Sequence, residues 1–322
     1  HAQVLSASTG TSFIEPARRG DTQRYLSFYK HDIRPGAVEQ QGCGFQPSAK
    51  AVARQAAGTF APALPNYDGS PANVAGGGQL RTYRVAIATT GEYAAFHGGT
   101  LPLTMAAITT SLNRVVGVYE KELAVRMVLV ANNDQLVHLN AATDPYTNND
   151  GEIMLGENQA VVDTRIGAAN YDIGHVFSTG GGGIAGYAVV CKNGLKGQGV
   201  TGSNSPVADA FDIDYVAHEM GHQFSGSHPF NGSTGSCAGG NRSAGAAWEP
   251  GSGSTIMGYA GICGSQNLQA NSDAFFHVGN YEEMRGFIVT TPCPVTTASG
   301  NTAPIVTVPA VKTLPMNTPF KL

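Results

Sequence analysis

Between residues 80 and 131 the apolar positions change their period twice. Residues 80–88 alternate apolar with polar side chains and are rich in β-formers, the pattern of a strand. Residues 101–123 set Leu103, Ala106, Ala107, Leu112, Val115, Val116 and Tyr119 at helical spacing, which predicts a long amphipathic helix. Residues 124–131 return to a buried-looking strand. The alternation continues with a polar turn region at 144–151, a second helix at 153–167, and strands at 172–178 and 184–190. Strands that alternate with helices point to an α/β fold with a largely parallel sheet.

The 322 residues are enough for one large domain or two smaller ones. The start of the chain reads poorly as a packed unit. It holds short strand-like pieces, such as residues 24–29, and it ends in a linker-like run from Pro62 to Gly78. We read residues 1–79 as a pro-like N-terminal segment and 80–297 as the main domain. Residues 298–322 read as a linker and the start of a truncated β-sandwich-like module, because 304–309 is a β-rich run bounded by prolines; a tail without fixed structure is the alternative.

Composition excludes some partners. The net charge is −4 and no Lys/Arg run occurs, so nothing in the chain suits a nucleic-acid backbone. No apolar stretch approaches the roughly 20 residues that span a bilayer. The 42 glycines and a charged fraction of only 13% suggest a loop-rich extracellular protein, and we expect it to be secreted and monomeric. Its cysteines are Cys43, Cys191, Cys237, Cys263 and Cys293. The four after residue 190 can form two disulfides in an oxidising compartment. Spacing leaves the pairing open; we favour Cys237–Cys263 and Cys191–Cys293.

The chemistry is carried by His218-Glu219-Met220-Gly221-His222. On a helix, positions four apart share a face, so His218 and His222 can hold one metal, with Glu219 beside it to take a proton from water. Zinc accepts neutral imidazole, and three protein ligands leave it a position for water. An apolar lead-in over residues 212–217 favours the helix. Gly221 inside it costs about 1 kcal/mol against alanine, which makes sense if the backbone must pack closely there. His228 follows a Ser225-Gly226 break, where a turn would swing it back as third ligand.

His218-Glu219-x-x-His222-x-x-Ser225-x-x-His228 resembles the elongated zinc signature of the metzincins, His-Glu-x-x-His-x-x-Gly-x-x-His. Ser225 stands where that family has the glycine that allows the sharp turn, though a single non-glycine residue can take a strained conformation there. Downstream, residues 254–259 look like the metzincin Met-turn, with Met257 as the methionine beneath the zinc site. Tyr259 matches the place where some metzincins set a tyrosine near zinc. It is a candidate switchable ligand or oxyanion donor, or else a tyrosine packed on the lower loop. The context is most similar to the bacterial reprolysin (adamalysin-like) branch: residues 171–177, the Gly180–Gly183 run, and Asp212-Ile213-Asp214-Tyr215.

The resemblance covers about residues 80 to 292. It implies a metzincin-type catalytic domain: a twisted, mostly parallel sheet, a zinc-site helix, a cleft with Zn2+ at its floor, a Met-turn and a closing C-terminal helix at 279–289. It implies a zinc endopeptidase acting on protein or peptide substrates, with Glu219 as general base. It also implies an edge strand that binds substrate as an added strand, here Gly183, Ile184, Ala185 and Gly186.

Metalloprotease prosegments can place a thiolate on zinc, and Gly42-Cys43-Gly44 makes Cys43 a candidate latency ligand; an unpaired or intermolecular cysteine is the alternative. Asp144, Asn148, Asn149 and Asp150 gather oxygen donors that suit Ca2+, although their spacing is not that of an EF-hand and a polar turn explains them as well. His31, His97, His138, His175 and His277 lack ligand spacing and read as structural. Two rivals stand beside the peptidase: an inactive metzincin-like adhesion or binding module that keeps a structural zinc, and a site whose third ligand is Glu249 rather than His228.

Overall fold

The structure, a computed structural model, describes residues 2–4, 12–16, 23–29 and 77–302. Near the N-terminus, β1 (Ala2–Val4), β2 (Ser12–Pro16) and β3 (Tyr25–Tyr29) pair antiparallel in that order. The β-rich run at 304–309 and Cys43 lie outside the described residues.

The main sheet is built on β4 (Gln79–Thr89), an eleven-residue strand. After it come α1 (Gly91–Phe96) and α2 (Leu101–Leu123), which carries the chain across to β5 (Val125–Leu129). Parallel strands need such a crossover, and β4 and β5 pair parallel, Arg81 opposite Val125 and Val85 opposite Leu129. The helix stops at Ala124, whose φ of 54° is left-handed. Next come α3 (Gly151–Arg165), capped by the Asp150 side chain, and then β6 (Ile173–Ser178), β7 (Gly182–Ala185) and β8 (Gly199–Gly202). A helical run over residues 209–223, α4, is followed by long loops, α5 (Val278–Ile288) and β9 (Val295–Ala298).

Strand order is β5-β4-β6-β8-β7, parallel except for β7 at the edge, while β9 pairs antiparallel with the first residues of β4. Past the end of β5, Asn133 takes over the ladder: its side-chain amide accepts from Ile87 N and donates to Ile87 O, both at 2.8 Å.

The period-two pattern of β4 divides the core. Tyr83, Val85 and Ile87 pack with α2, α4 and α5 on one face, while Ala86 and Ala88 pack with Met154 and Val162 of α3 on the other. Cys191–Cys293 ties the loop beneath α4 to the chain just past α5, and Cys237–Cys263 closes the loops below the site, the pairing favoured from sequence. Among the described residues no helix is long and apolar enough to cross a membrane.

One expected element differs in extent. The strand expected at 184–190 is β7, which ends at Ala185. The apolar residues after it form a buried loop that bonds to α4, Ala188 N to His222 O at 2.9 Å and Val189 N to Gln223 O at 3.0 Å. Positive φ at Ala188 and Cys191 turns the chain there, so these side chains are buried against the helix rather than in a ladder.

Candidate active site

The α4 run has three parts: an α-helical turn at Asp209–Phe211, a π-helical stretch at Asp212–Ala217 and an α-helical end at His218–Gln223. Departures of this kind from the α-helix occur often at functional sites. Two residues of α2 fix it. Arg114 makes a forked bond to Asp209, at 2.7 and 2.9 Å, and Tyr119 Oη donates to the Ala217 carbonyl at 2.8 Å.

The helix ends in a turn with two nested bonds, Gly226 N to Gly221 O at 2.8 Å and Ser225 N to His222 O at 2.9 Å. This is the Schellman arrangement, which needs a left-handed residue after the cap. Ser225 supplies it with φ of 79°. The turn is held from outside by Tyr187 Oη on the Ser225 carbonyl (2.7 Å), by Asn280 Nδ2 on the Ser227 carbonyl (2.7 Å) and by Glu283, which accepts from Ser227 N (2.9 Å). Burial raises Glu283 from the ordinary carboxylate range to about 7 against the pull of those donors.

The turn brings His228 back to the helix. The Nε2 atoms of His218, His222 and His228 stand 3.0 to 3.2 Å from one another. Each Nδ1 faces a backbone carbonyl: Ile256 O at 2.8 Å, Gly226 O at 2.7 Å and Asn241 O at 2.6 Å respectively. A carbonyl only accepts, so each Nδ1 carries the proton and each Nε2 presents a lone pair. Three converging lone pairs repel unless a cation sits among them. Burial keeps the rings neutral, pushing His218 down to about 4 and His222 and His228 well below the usual imidazole range. Nitrogens on one tetrahedral zinc stand about 3.4 Å apart, close to the observed spacing, so the set fits zinc. Among the described residues this is the one group of three or more His, Cys, Asp and Glu with metal-ligand spacing.

Glu219 is fully buried and lies against β7. A Cβ built on Gly183 would fall 2.6 Å from Glu219 Cγ and Cδ, so only glycine lets the strand lie on this carboxylate. Ile184 turns the other way, into the α3 layer. Ala185 ends the strand, and Gly186 N bonds to Gln198 O at 2.9 Å. Met257 lies below α4 and is fully buried. The Tyr259 ring packs edge-on against His228, with centroids 4.7 Å apart, and 4.5 Å from Phe230.

Glu249, the rival third ligand, is engaged elsewhere. Its carboxylate accepts from Ser254 N (3.0 Å), Thr255 N (3.3 Å) and Thr255 Oγ1 (2.6 Å), bracing the loop that carries Met257. The oxygen-rich turn is also occupied. Asp144 accepts from Gly91 N and Tyr146 N, Asn148 bonds Thr90 and Thr179, and Asp150 caps α3.

His175, expected to be structural, supports the zinc helix through two partners that sequence reasoning missed, Gln223 and Thr201. His175 is fully buried, with Nδ1 3.0 Å from Gln223 Oε1 and Nε2 2.8 Å from Thr201 Oγ1. Gln223 Nε2 donates to Gly174 O at 2.9 Å, which makes Oε1 the acceptor for His175. This network fastens the zinc helix to β6 and β8. Gln223 directly follows His222 on a helix, and that placement was the signal available.

The family model described as "Metallo-peptidase family M12B Reprolysin-like" matches residues 79–283. No curated protein matches the chain. A solved structure described as "Structure of a chaperone-substrate complex" is 14% identical with a TM-score of 0.37, covering 66% of this chain and 35% of that one, a likeness too loose to carry an argument. The chain therefore spans about a third of the length of that structure's chain. The matched span contains α4, the histidine triad and the Met257 loop, and the chain belongs to the reprolysin-like metallopeptidases of family M12B.

Proposed function

We propose that the chain is a secreted, zinc-dependent endopeptidase that hydrolyses peptide bonds in protein substrates. The observation that carries this reading is the convergence of three Nε2 lone pairs beside a buried carboxylate, under a glycine-bearing edge strand. Bound at His218, His222 and His228, zinc would supply Lewis acidity toward a carbonyl and a water pKa near about 7. Glu219 takes the proton from the attacking water and passes it to the leaving amine. Tyr259 donates to the oxygen on which negative charge develops.

β7 receives the substrate as a further strand. It lies at the sheet edge, and Gly183 and Gly186 offer no side chains to obstruct a backbone. Met257 supports the zinc helix from below. Cys43 is the thiolate that keeps the enzyme latent, and the two disulfides support an extracellular setting. Ser225, where the family signature has glycine, is the one feature that favours the inactive module, and its left-handed conformation is compatible with an intact ligand turn.

The test is zinc content together with casein cleavage, on the whole chain and after limited proteolysis ahead of residue 80. One zinc per chain, cleavage that rises on trimming, and a Glu219→Gln variant that keeps zinc but loses turnover are expected. Zinc without cleavage in either form would end the peptidase reading.

A further inference from the structure

A π-helical turn is rare, and a helix left to itself is α-helical. The stretch Asp212–Ala217 therefore calls for contacts outside α4 that hold it. Both of its ends are tied to α2: Asp209, just before it, by Arg114, and Ala217, its last residue, by Tyr119 Oη at 2.8 Å. At the junction the backbone tightens, with His218 N bonded to Tyr215 O three residues back, and the α-helical end begins there. Packing fixes the Tyr119 ring. It is fully buried, with centroids 5.7 Å from Phe224 and 5.3 Å from Phe276. Burial pushes its phenol well above the ordinary range, and the charge of Glu219 adds to the rise, so the hydroxyl stays a donor.

We propose that Tyr119 is a positioning residue for Glu219: its hydroxyl pins the Ala217 carbonyl, fixes the point where the π-helical stretch gives way to α-helix, and so sets the rotation at which the carboxylate faces the metal site. The inference deepens the peptidase reading and rests on it for the role of Glu219 as base. Glu219 is the second residue past Ala217. Successive residues of a helix turn by about 100°, so a junction that slipped by one position would swing the carboxylate off its place against Gly183, where only glycine leaves it room. The histidine rings have supports of their own. Their carbonyl partners belong to Ile256, Gly226 and Asn241, none of them on α2. Loss of the Tyr119 bond therefore separates base from metal, displacing Glu219 while the ligand set stays closed.

The test compares Tyr119→Phe with Tyr83→Phe in the full zinc-loaded chain, before and after limited proteolysis ahead of residue 80. Tyr83 is a second buried tyrosine of the same core, 5.3 Å from Phe224, and its hydroxyl is 2.6 Å from Thr291 Oγ1. Its Phe variant loses a comparable bond without touching the backbone of α4. On a defined peptide Tyr119→Phe is expected to lose kcat by about tenfold or more, with KM and zinc affinity unchanged, while Tyr83→Phe keeps kcat. A second readout needs no turnover. With Co2+ in place of zinc, the pH midpoint of the visible spectrum should move in Tyr119→Phe toward that of Glu219→Gln, and should stay at the parent value in Tyr83→Phe. Equal effects of the two variants overturn the proposal. So do a Tyr119→Phe effect confined to KM, a Tyr119→Phe chain that unfolds or loses zinc, and an unmoved Co2+ spectrum. Cleavage with a normal kcat in Tyr119→Phe defeats the positioning role alone. A spectral shift specific to Tyr119→Phe in a chain that cleaves nothing upholds the positioning of Glu219 and defeats the peptidase reading.

Discussion

Gly221 leaves the room that the Met257 thioether fills: a Cβ on Gly221 would fall 3.1 Å from Met257 Cε and closer still to Sδ. The glycine sits between the metal-ligand positions of α4, where helix propensity argues against it. Its position is explained by the side chain beneath. Gly221→Ala should therefore destabilise the fold by about 1–3 kcal/mol through overpacking and weaken zinc retention, as read by urea unfolding and chelator competition. Met257→Leu, which conserves volume, should cost less than about 1.5 kcal/mol.

Ser225 takes a left-handed conformation at φ of 79°, which disfavours L-residues by about 1–2 kcal/mol. Ser225→Gly removes that strain at the expense of some chain entropy in the unfolded state. A net gain of about 0.5–1 kcal/mol is expected, with zinc affinity retained. Ser225→Val should move stability the other way. Denaturant midpoints of the three proteins would check the order Gly above Ser above Val.

Glu283 carries a pH signature. Its folded pKa is raised from 4.5 to about 7 by burial, so its favourable share of stability is complete below pH 4.5 and is lost as pH rises toward 7. Glu283→Gln keeps an acceptor for Ser227 N and removes the titration. The variant should match the parent at pH 4 and exceed it at pH 8 by about 2 kcal/mol, discounted for partial exposure. Unfolding curves at the two pH values decide the point; a variant that is less stable than the parent at pH 8 would refute the assignment.

Glu249→Gln and Glu249→Ala separate bracing from ligation. Alanine leaves Ser254 N, Thr255 N and Thr255 Oγ1 without their acceptor, a loss of about 1–3 kcal/mol. Glutamine keeps one acceptor and should lose less. Both variants should still bind one zinc per chain, whereas His228→Ala should not. Metal analysis after gel filtration reads all three.

The parts of this fold legible in the sequence are those whose side chains repeat. The recurring apolar positions mark α2 as a helix, and Leu112, Val115 and Tyr119 are buried as expected, whereas Leu103 and Ala106 face solvent and Thr104 and Ile108 take the buried side of the first turns. Two members of the triad are legible because helical spacing places His218 beside His222, and the third, His228, depends on the turn at Ser225-Gly226. Glycine erases such signals. β7 and β8 are four-residue strands that each contain two glycines, and side-chain alternation has little to act on there. Val189 and Val190 resemble strand residues because they are buried, yet their backbone bonds run to a helix end. The supporting contacts of Gln223 and Glu249 join distant segments, and no local pattern encodes them.

The three carbonyls behind the histidines come from separate stretches of chain: the helix-end turn at Gly226, the loop at Asn241 and the Met257 loop at Ile256. Free imidazole in water exchanges its proton between both nitrogens, so an unfolded chain presents no fixed set of donors. Only when all three loops have closed is every proton held on Nδ1 and every Nε2 left bare. The metal site is thereby a property of the closed fold, not of the three histidines taken singly.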